Sequence, residues 1–239
     1  MNINTWKNYY FKIISDFGFD ENKDLESAKI LKDLILKYKN NIDISKLKEI
    51  INNKVVYIFG AGPSLKRHIN QYKSMENKTD SLICAADGST KALMEENIIP
   101  DIIVSDLDGD MEYIIKSNSI GSIVVVHAHG DNIDKLKKYV PKLKNIIGSY
   151  QYPIKIDNLI NYGGFTDGDR CCFLCERFNP KKMVLCGMDF GVYITKYSRP
   201  NIKNDVEVGD EIKIKKLKYG KELVDYLIKN SNVRIEYME

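Results

Sequence analysis

Asp87, Asp106, Asp108 and Asp131 stand in three glycine-bearing segments, each directly after a short apolar run. The segments are Asp87-Gly88-Ser89, Asp106-Leu107-Asp108-Gly109-Asp110 and His127-Ala128-His129-Gly130-Asp131-Asn132. Carboxylates in this setting suit a hard cation such as Mg²⁺, which takes oxygen ligands and commonly uses one or two carboxylates with phosphates and water. Residues two apart on an extended segment point the same way, so Asp106 and Asp108 are the pair expected to reach one ion. Asp87 and Asp131 are expected to complete or bridge that site. Without a cation, mutual repulsion would raise the pKa values of such a group. Asp-Gly pairs also make plain turns, a reading that accounts for one such segment more readily than for several. His127 and His129 alternate on one strand end and, with Asp131, invite zinc. Two imidazoles among hard oxygen donors favour Mg²⁺ instead. One of them is expected to face phosphate or substrate and the other to be structural. His68, in the middle of a predicted helix, is expected on the surface.

Two glycine-rich segments offer places for phosphate. In Gly60-Ala61-Gly62-Pro63-Ser64, glycines would let the backbone approach phosphate oxygens, and the following helix offers unpaired N–H groups. Leu65 stands where a dinucleotide fingerprint has its third glycine. In Gly163-Gly164-Phe165-Thr166-Asp167-Gly168-Asp169-Arg170, Thr166 or Asp167 can cap a helix and Arg170 can reach a phosphate bidentately. Either segment reads equally well as a tight turn without a ligand. Asp189-Phe190-Gly191 spells a kinase magnesium motif, but the accompanying kinase loops are absent. Cys171, Cys172 and Cys175 lack a second ligand pair at zinc-finger spacing and read as buried thiols. Lys213, Lys215, Lys216, Lys218 and Lys221 read as a solvated helix face, or as phosphate contacts if that helix folds back over the crevice.

The elements that position these residues follow from periodicity. Trp6, Tyr9, Tyr10, Ile13, Ile14 and Phe17 share one helical face, and Leu25, Ala28, Leu31, Ile35 and Tyr38 continue in a second helix. Ile44, Leu47, Ile50 and Ile51 predict a third helix, capped by Asp43. None of the three carries a convergent polar set, so residues 1–53 are expected only to pack on the core or on a second subunit. From Lys54 onward, apolar runs at 55–59, 81–86, 101–105 and 122–128 alternate with helical stretches after Ser64, Ser89 and Asp131. Further strands are predicted at 145–150 and 182–187, with a helix from Asp167 to Phe178 between them. A last helix runs from Lys213 to Lys229, with Gly220 as a possible interruption, before an edge strand at 233–238. Residues 54–239 thus read as one α/β domain with a mostly parallel sheet and helices on both faces. In such a sheet the C-terminal strand ends share one edge, where open α/β folds bind ligands.

Composition bounds the function classes. The 239 residues are 44% hydrophobic and 29% charged, which is globular, and 36 basic against 33 acidic residues leave a net charge of +3. That balance argues for neither nucleic acid nor membrane as a partner. No apolar run approaches a bilayer span, and the N-terminal segment lacks the layout of a signal peptide. Five cysteines, an odd number, read as reduced thiols. A cytoplasmic location is therefore expected, and the aromatic N-terminal helices with an edge strand are consistent with a homodimer.

The series GAGPSL, AADGSTKAL, PDIIVSDLDGD, HAHGDN, GFTDGDRC and CGMDFG resembles the archaeal 6-hydroxymethyl-7,8-dihydropterin pyrophosphokinases across roughly Val55 to Gly191. It is similar in turn to the thiamine pyrophosphokinases. Their Ala-Asp-Gly-Gly turn is matched by Ala86-Asp87-Gly88-Ser89, and their Pro-Asp and Gly-Asp-x-Asp-Ser segment by Pro100-Asp101 and Ser105-Asp106-Leu107-Asp108-Gly109. Gly109 replaces the thiamine enzymes' serine, and the two histidines with Asn132 replace their acidic-threonine pattern, which favours the pterin group. The resemblance implies a thiamine pyrophosphokinase-like catalytic domain that transfers diphosphate from ATP to a pterin hydroxymethyl group, leaving AMP. It further implies Mg²⁺ dependence and a role in making methanopterin or folate-type cofactors. Asp106 and Asp108 would then hold Mg²⁺ with Asp87 and Asp131, while Gly60, Gly62, Ser64, Gly88, Ser89, His127, Thr166 and Arg170 would serve the nucleotide. Asp131 or His129 would accept the alcohol proton. Phe165, Asn132, Asp167 and Asp189 are candidates for the pterin pocket, since a flat heterocycle wants an aromatic wall and a carboxylate or amide at its edge. Other readings are a metal-dependent glycosylation-associated transferase, a nucleotide-sensing module, and a dehydrogenase with Asp87 on the ribose.

Overall fold

The β-branched runs after Lys54 are apolar on both faces, and a segment of that kind is stable only between two layers of helices. The computed structural model, which describes residues 1–76 and 78–239, shows that sandwich. Strands β1 (Val55–Phe59), β2 (Ser81–Ala86), β3 (Ile102–Ser105), β4 (Ile123–Ala128), β5 (Ile146–Tyr150) and β6 (Lys182–Cys186) join a C-terminal strand in one seven-stranded sheet. The strand order is β5-β4-β3-β2-β1-β6 followed by that last strand, and every pairing is parallel. The chain builds outward from β1 in one direction through β2 to β5, then returns to lay β6 on the other side of β1. The order therefore reverses between β1 and β6, the place where open parallel sheets leave a crevice at their C-terminal edge.

Strand residues alternate between two cores. Val56, Ile58, Ile102 and Val104 face one layer, made by α1 (Ile3–Phe17), α3 (Ser45–Ile51) and α8 (Asp167–Glu176). The long C-terminal helix also lies in that layer, through Leu223, Val224 and Leu227. Phe59, Ile83, Ile103 and Val124 face the other layer, made by α2 (Glu21–Tyr38), α4 (Leu65–Ser74), α5 (Ser89–Glu95), α6 (Met111–Ile120) and α7 (Ile133–Tyr139). The N-terminal helices thus divide between the faces.

Three features depart from the sequence expectation. Helix α6 was not predicted; it is the crossover that parallel β3 and β4 require. A small antiparallel arm, β7 (Tyr193–Thr195) with β8 (Val206–Val208), was likewise unpredicted. Gly220 does not interrupt the C-terminal helix α9, which runs unbroken from Glu211 to Asn230 before β9 (Arg234–Tyr237). A side chain at Gly220 would come within 3.0 Å of the Phe190 ring and 3.3 Å of Thr166 Oγ1, so glycine there serves a close crossing. Among the described residues, no helix is long and apolar enough to cross a membrane.

Candidate active site

The ends of β2 and β3 are shaped by two residues with positive φ, Asp87 (25°) and Leu107 (65°). The Asp87 N–H donates to Val104 O at 2.8 Å, the Ser105 hydroxyl donates to the Asp87 carboxylate, and Ser105 Oγ accepts the Leu107 N–H at 2.8 Å. Gly109 permits the fold-back, because a Cβ there would lie 2.1 Å from Asp87 Oδ2. Carboxylate oxygens of Asp87, Asp106 and Asp108 are thereby brought within 4.8 Å of one another. Asp106 and Asp108 converge through the left-handed turn at Leu107 rather than by strand alternation.

The electrostatics match a cation site. Burial, then the charges of Asp167, Asp106 and Asp108, push the Asp87 carboxyl well above its usual range. Burial and Asp106 push Asp108 up as well. On Asp106 the same burial is outweighed by His129, which holds that carboxyl far below the usual range. Its Oδ2 lies 3.1 Å from His129 Nε2, while its buried Oδ1 has no partner among the described residues. An unpartnered buried carboxylate oxygen beside two further carboxylates is a donor set suited to a hard divalent ion.

Asp131 does not join this group, which corrects the four-carboxylate expectation. It is exposed, lies beyond the end of β4, and its N–H turns back to His129 Nδ1 at 3.3 Å. Asp167 supplies the fourth nearby carboxylate instead, raised by burial and by Asp106 against the opposing pull of Arg170, whose Nη1 is 3.2 Å away. Asn132 is wholly buried and acts as a strut, donating to Asp106 O and His127 O and accepting the His129 N–H. His127 is the structural histidine: buried, with Nδ1 3.0 Å from Ser149 Oγ. His68 is also buried, contrary to expectation, and its Nδ1 accepts the Gly187 N–H at 2.9 Å.

Burial and then the Arg170 charge hold His127 well below the ordinary histidine range. The unfolded chain therefore binds a proton that the folded chain refuses once pH falls below about 6.5, and stability drops as pH falls through that region. His127→Gln is expected to flatten this dependence. The check is the urea midpoint followed from about pH 7 to about pH 5. An unchanged slope would mean that His127 protonates in the folded state.

Beside the carboxylates lies a cavity of about 210 Å³. The turns after β1 and β6 form one side of it. Their glycines serve closeness: Gly60 N–H donates to Cys186 O and Gly62 N–H to Gly187 O, both at 2.8 Å. A Cβ on Gly187 would sit 2.3 Å from Gly60 O. These N–H groups are therefore not free for phosphate. Ser64 and Asp189 bind each other, the Ser64 hydroxyl donating at 2.9 Å, and Ser89 is buried with its hydroxyl on Phe59 O at 2.7 Å. Gly88 lines the cavity under the arm. Thr166 caps α8 in a reciprocal box with Asp169; Asp167 and Arg170 reach the cavity from that helix and Phe165 from the segment just before it. The positive charge comes from α9, which does fold back: Lys213 and Lys216 line the cavity. Burial and Lys216 lower the Lys213 pKa.

A carboxylate group at the switch edge, next to a cavity with Arg170 and two lysines, is built for a polyanion and a cation together. A family model described as 6-hydroxymethylpterin diphosphokinase MptE-like matches residues 32–195. The chain belongs to this family. Proteins named 6-hydroxymethyl-7,8-dihydropterin pyrophosphokinase are similar along their length. That of Methanocaldococcus jannaschii is 58% identical over the whole of both chains, and that of Methanothermobacter thermautotrophicus is 43% identical over 99% of each. That of Pyrococcus furiosus is 38% identical over 96% of each. A Maf glycosyltransferase structure from Magnetospirillum magneticum shares the fold at a TM-score of 0.51 and 12% identity, across 82% of this chain and 37% of that one.

The MptE-like model begins inside α2 and ends before α9, so it omits two contributors to the site. One is the lysine pair of α9. The other is Asp24, a residue of α2 that sequence reasoning passed over. Asp24 is 3% exposed and accepts the Gly130 N–H at 2.7 Å, Gln151 Nε2 at 2.8 Å and the Tyr10 hydroxyl at 2.9 Å. Gln151 in turn accepts Arg170 Nη2 at 3.1 Å. In this member of the MptE-like family the N-terminal helices therefore reach the C-terminal edge of the sheet, beside the carboxylates, which corrects the expectation that they only pack.

Proposed function

We propose that the chain transfers diphosphate from ATP to the hydroxymethyl group of 6-hydroxymethyl-7,8-dihydropterin, leaving AMP, in the making of a methanopterin or folate-type cofactor. The observation that carries this reading is the convergence of Asp87, Asp106 and Asp108 beside a cavity with Arg170, Lys213 and Lys216. It occurs in a chain that matches the pyrophosphokinases from end to end. The alcohol oxygen bonds to the β-phosphorus, the bond from that phosphorus to the α,β-bridging oxygen breaks, and AMP leaves with the bridging oxygen. Such transfer rests on positioning and charge neutralisation more than on covalent catalysis. Mg²⁺ on the three carboxylates would neutralise phosphate charge.

The side chains divide the remaining work. Arg170, Lys213 and Lys216 bind phosphate oxygens. Tyr193, Ile194 and Tyr197 of the arm line the cavity where a base and ribose would lie. His129 is a positioning residue: Nδ1 receives the Asp131 N–H, so the Nε2 proton points to Asp106. Both nitrogens are thus engaged in positioning, and the exposed Asp131 carboxylate, which has no such duty, is the acceptor for the alcohol proton. The deciding experiment incubates the protein with ATP and the pterin alcohol, with and without Mg²⁺, and follows AMP and the pterin diphosphate. Formation of both only with Mg²⁺ is expected. Failure to form AMP, or equal use of thiamine, would refute the assignment.

A further inference from the structure

A second cavity, of about 180 Å³, adjoins the first and shares Asp106, Phe165, Arg170 and Lys216 with it. Its outer wall comes from the N-terminal segment, with Phe19 in the turn between α1 and α2 and Asp24 inside α2, and Gln151 follows β5. We propose that this cavity is the acceptor subsite. In it the pterin ring lies against Phe19 and Phe165, its amino-pyrimidine edge meets Asp24 and Gln151, and its hydroxymethyl group points across Asp106 toward the nucleotide. This rests on the function proposed above and names where the second substrate sits.

Direct transfer between two substrates needs two adjoining spaces that meet at the reacting phosphorus. Asp106 stands on that border, and so does Arg170, whose buried Nε has no partner among the described residues. The wall suits a flat ring. Phe19 stacks on Phe17, with centroids 5.3 Å apart and planes at 13°, and lies 6.5 Å from the tilted ring of Phe165. The Lys216 ammonium sits 5.7 Å and 6.0 Å from the Phe19 and Phe165 centroids, at the rim where the acceptor meets phosphate.

The floor suits an amino-pyrimidine. A carboxylate offers about four lone-pair sites, of which Asp24 uses three, and the Gln151 amide has one N–H beyond the one it donates to Asp24. One acceptor site on Asp24 and one donor on Gln151 are therefore left over, on two buried residues that both line this cavity. A purely structural clamp between α2 and the sheet would need neither the rings nor the shared border.

The test replaces Phe19, which is only half-buried and lies in a turn. The affinity of Phe19→Ala for the pterin alcohol is read directly by fluorescence titration without ATP, and kinetic constants are measured for both substrates. At least a tenfold loss of pterin affinity is expected, with the ATP KM within twofold of wild type and recovery in Phe19→Tyr. Unchanged pterin affinity, or an equal rise in both KM values, would overturn the subsite. If the wild type forms no AMP from this pair, the function itself fails. The titration then still decides whether the ring sits on Phe19.

Discussion

Asp106→Asn is expected to lower turnover by roughly a thousandfold, the scale seen when one electrostatic partner of a transition state is removed, while the fold persists. The side chain keeps its shape, and the backbone carbonyl still accepts Asn132 Nδ2 at 2.8 Å. The amide oxygen can still face His129 Nε2. What disappears is the charge on the only one of the three carboxylates held well below its usual range, and with it the unpartnered Oδ1. Asp87 and Asp108 then lose a repelling neighbour while the fold loses the charge that His129 favours, two opposed effects, so the metal-free protein is expected to melt close to wild type. The stabilisation that Mg²⁺ gives the wild type by binding the folded state is expected to vanish. Steady-state AMP release together with thermal melts with and without Mg²⁺ checks both parts. Asp131→Asn separates the roles further: it should keep the Mg²⁺-dependent rise in melting temperature, whatever its turnover. A wild-type Mg²⁺ response in Asp106→Asn would remove the carboxylates from the metal site.

The strands were legible because a parallel sheet buried on both faces demands uninterrupted β-branched runs, and the chemistry was legible because several such runs end in acids and glycines. The errors share a cause. Asp131 was assigned because it stands after a strand as the other acids do, but β4 ends at Ala128, and three residues past a strand end nothing in the strand period fixes where a side chain points. His68 read as a surface position in mid-helix, and Asp24 drew no notice on a helix that showed no convergent polar set. Their partners, Gly187 for His68 and Gly130 and Gln151 for Asp24, lie more than a hundred residues away. Such pairings exist only once the sheet has brought its strand ends together. The glycines of the β1 turn were legible as a close approach, but not what approaches: it is the backbone of the β6 turn. The arm gave no signal, since two three-residue strands are too short for alternation to show.

Gly88→Ala is expected to raise the ATP KM by about ten- to a hundredfold, the range that one to three kcal/mol of overpacking spans, with little change in global stability. The backbone itself tolerates alanine, because Gly88 has ordinary helical angles, φ −61° and ψ −20°. The obstacle is external: a Cβ there would lie 1.7 Å from the Tyr197 carbonyl oxygen and 2.8 Å from its carbon. Backbone atoms at such distances cannot be relieved by a rotamer change, so the arm must lift. Its anchors are few, chiefly the Thr195 hydroxyl on Ala61 O at 2.7 Å, the Tyr197 hydroxyl on Glu95 at 2.6 Å, and the Arg199–Asp210 pair. Tyr193, Ile194, Tyr197 and Ser198 all line the larger cavity, so lifting the arm strips that wall from the nucleotide. The sheet and its main helix layers lie elsewhere, which confines the damage to a local opening. Faster proteolytic cleavage between β7 and β8, with an unchanged urea midpoint, would accompany the KM change. Gly191→Ala, where an added Cβ meets nothing within 4 Å, is the control expected to behave as wild type. If Gly88→Ala matched it in ATP KM and in cleavage rate, the arm would have no part in holding the nucleotide.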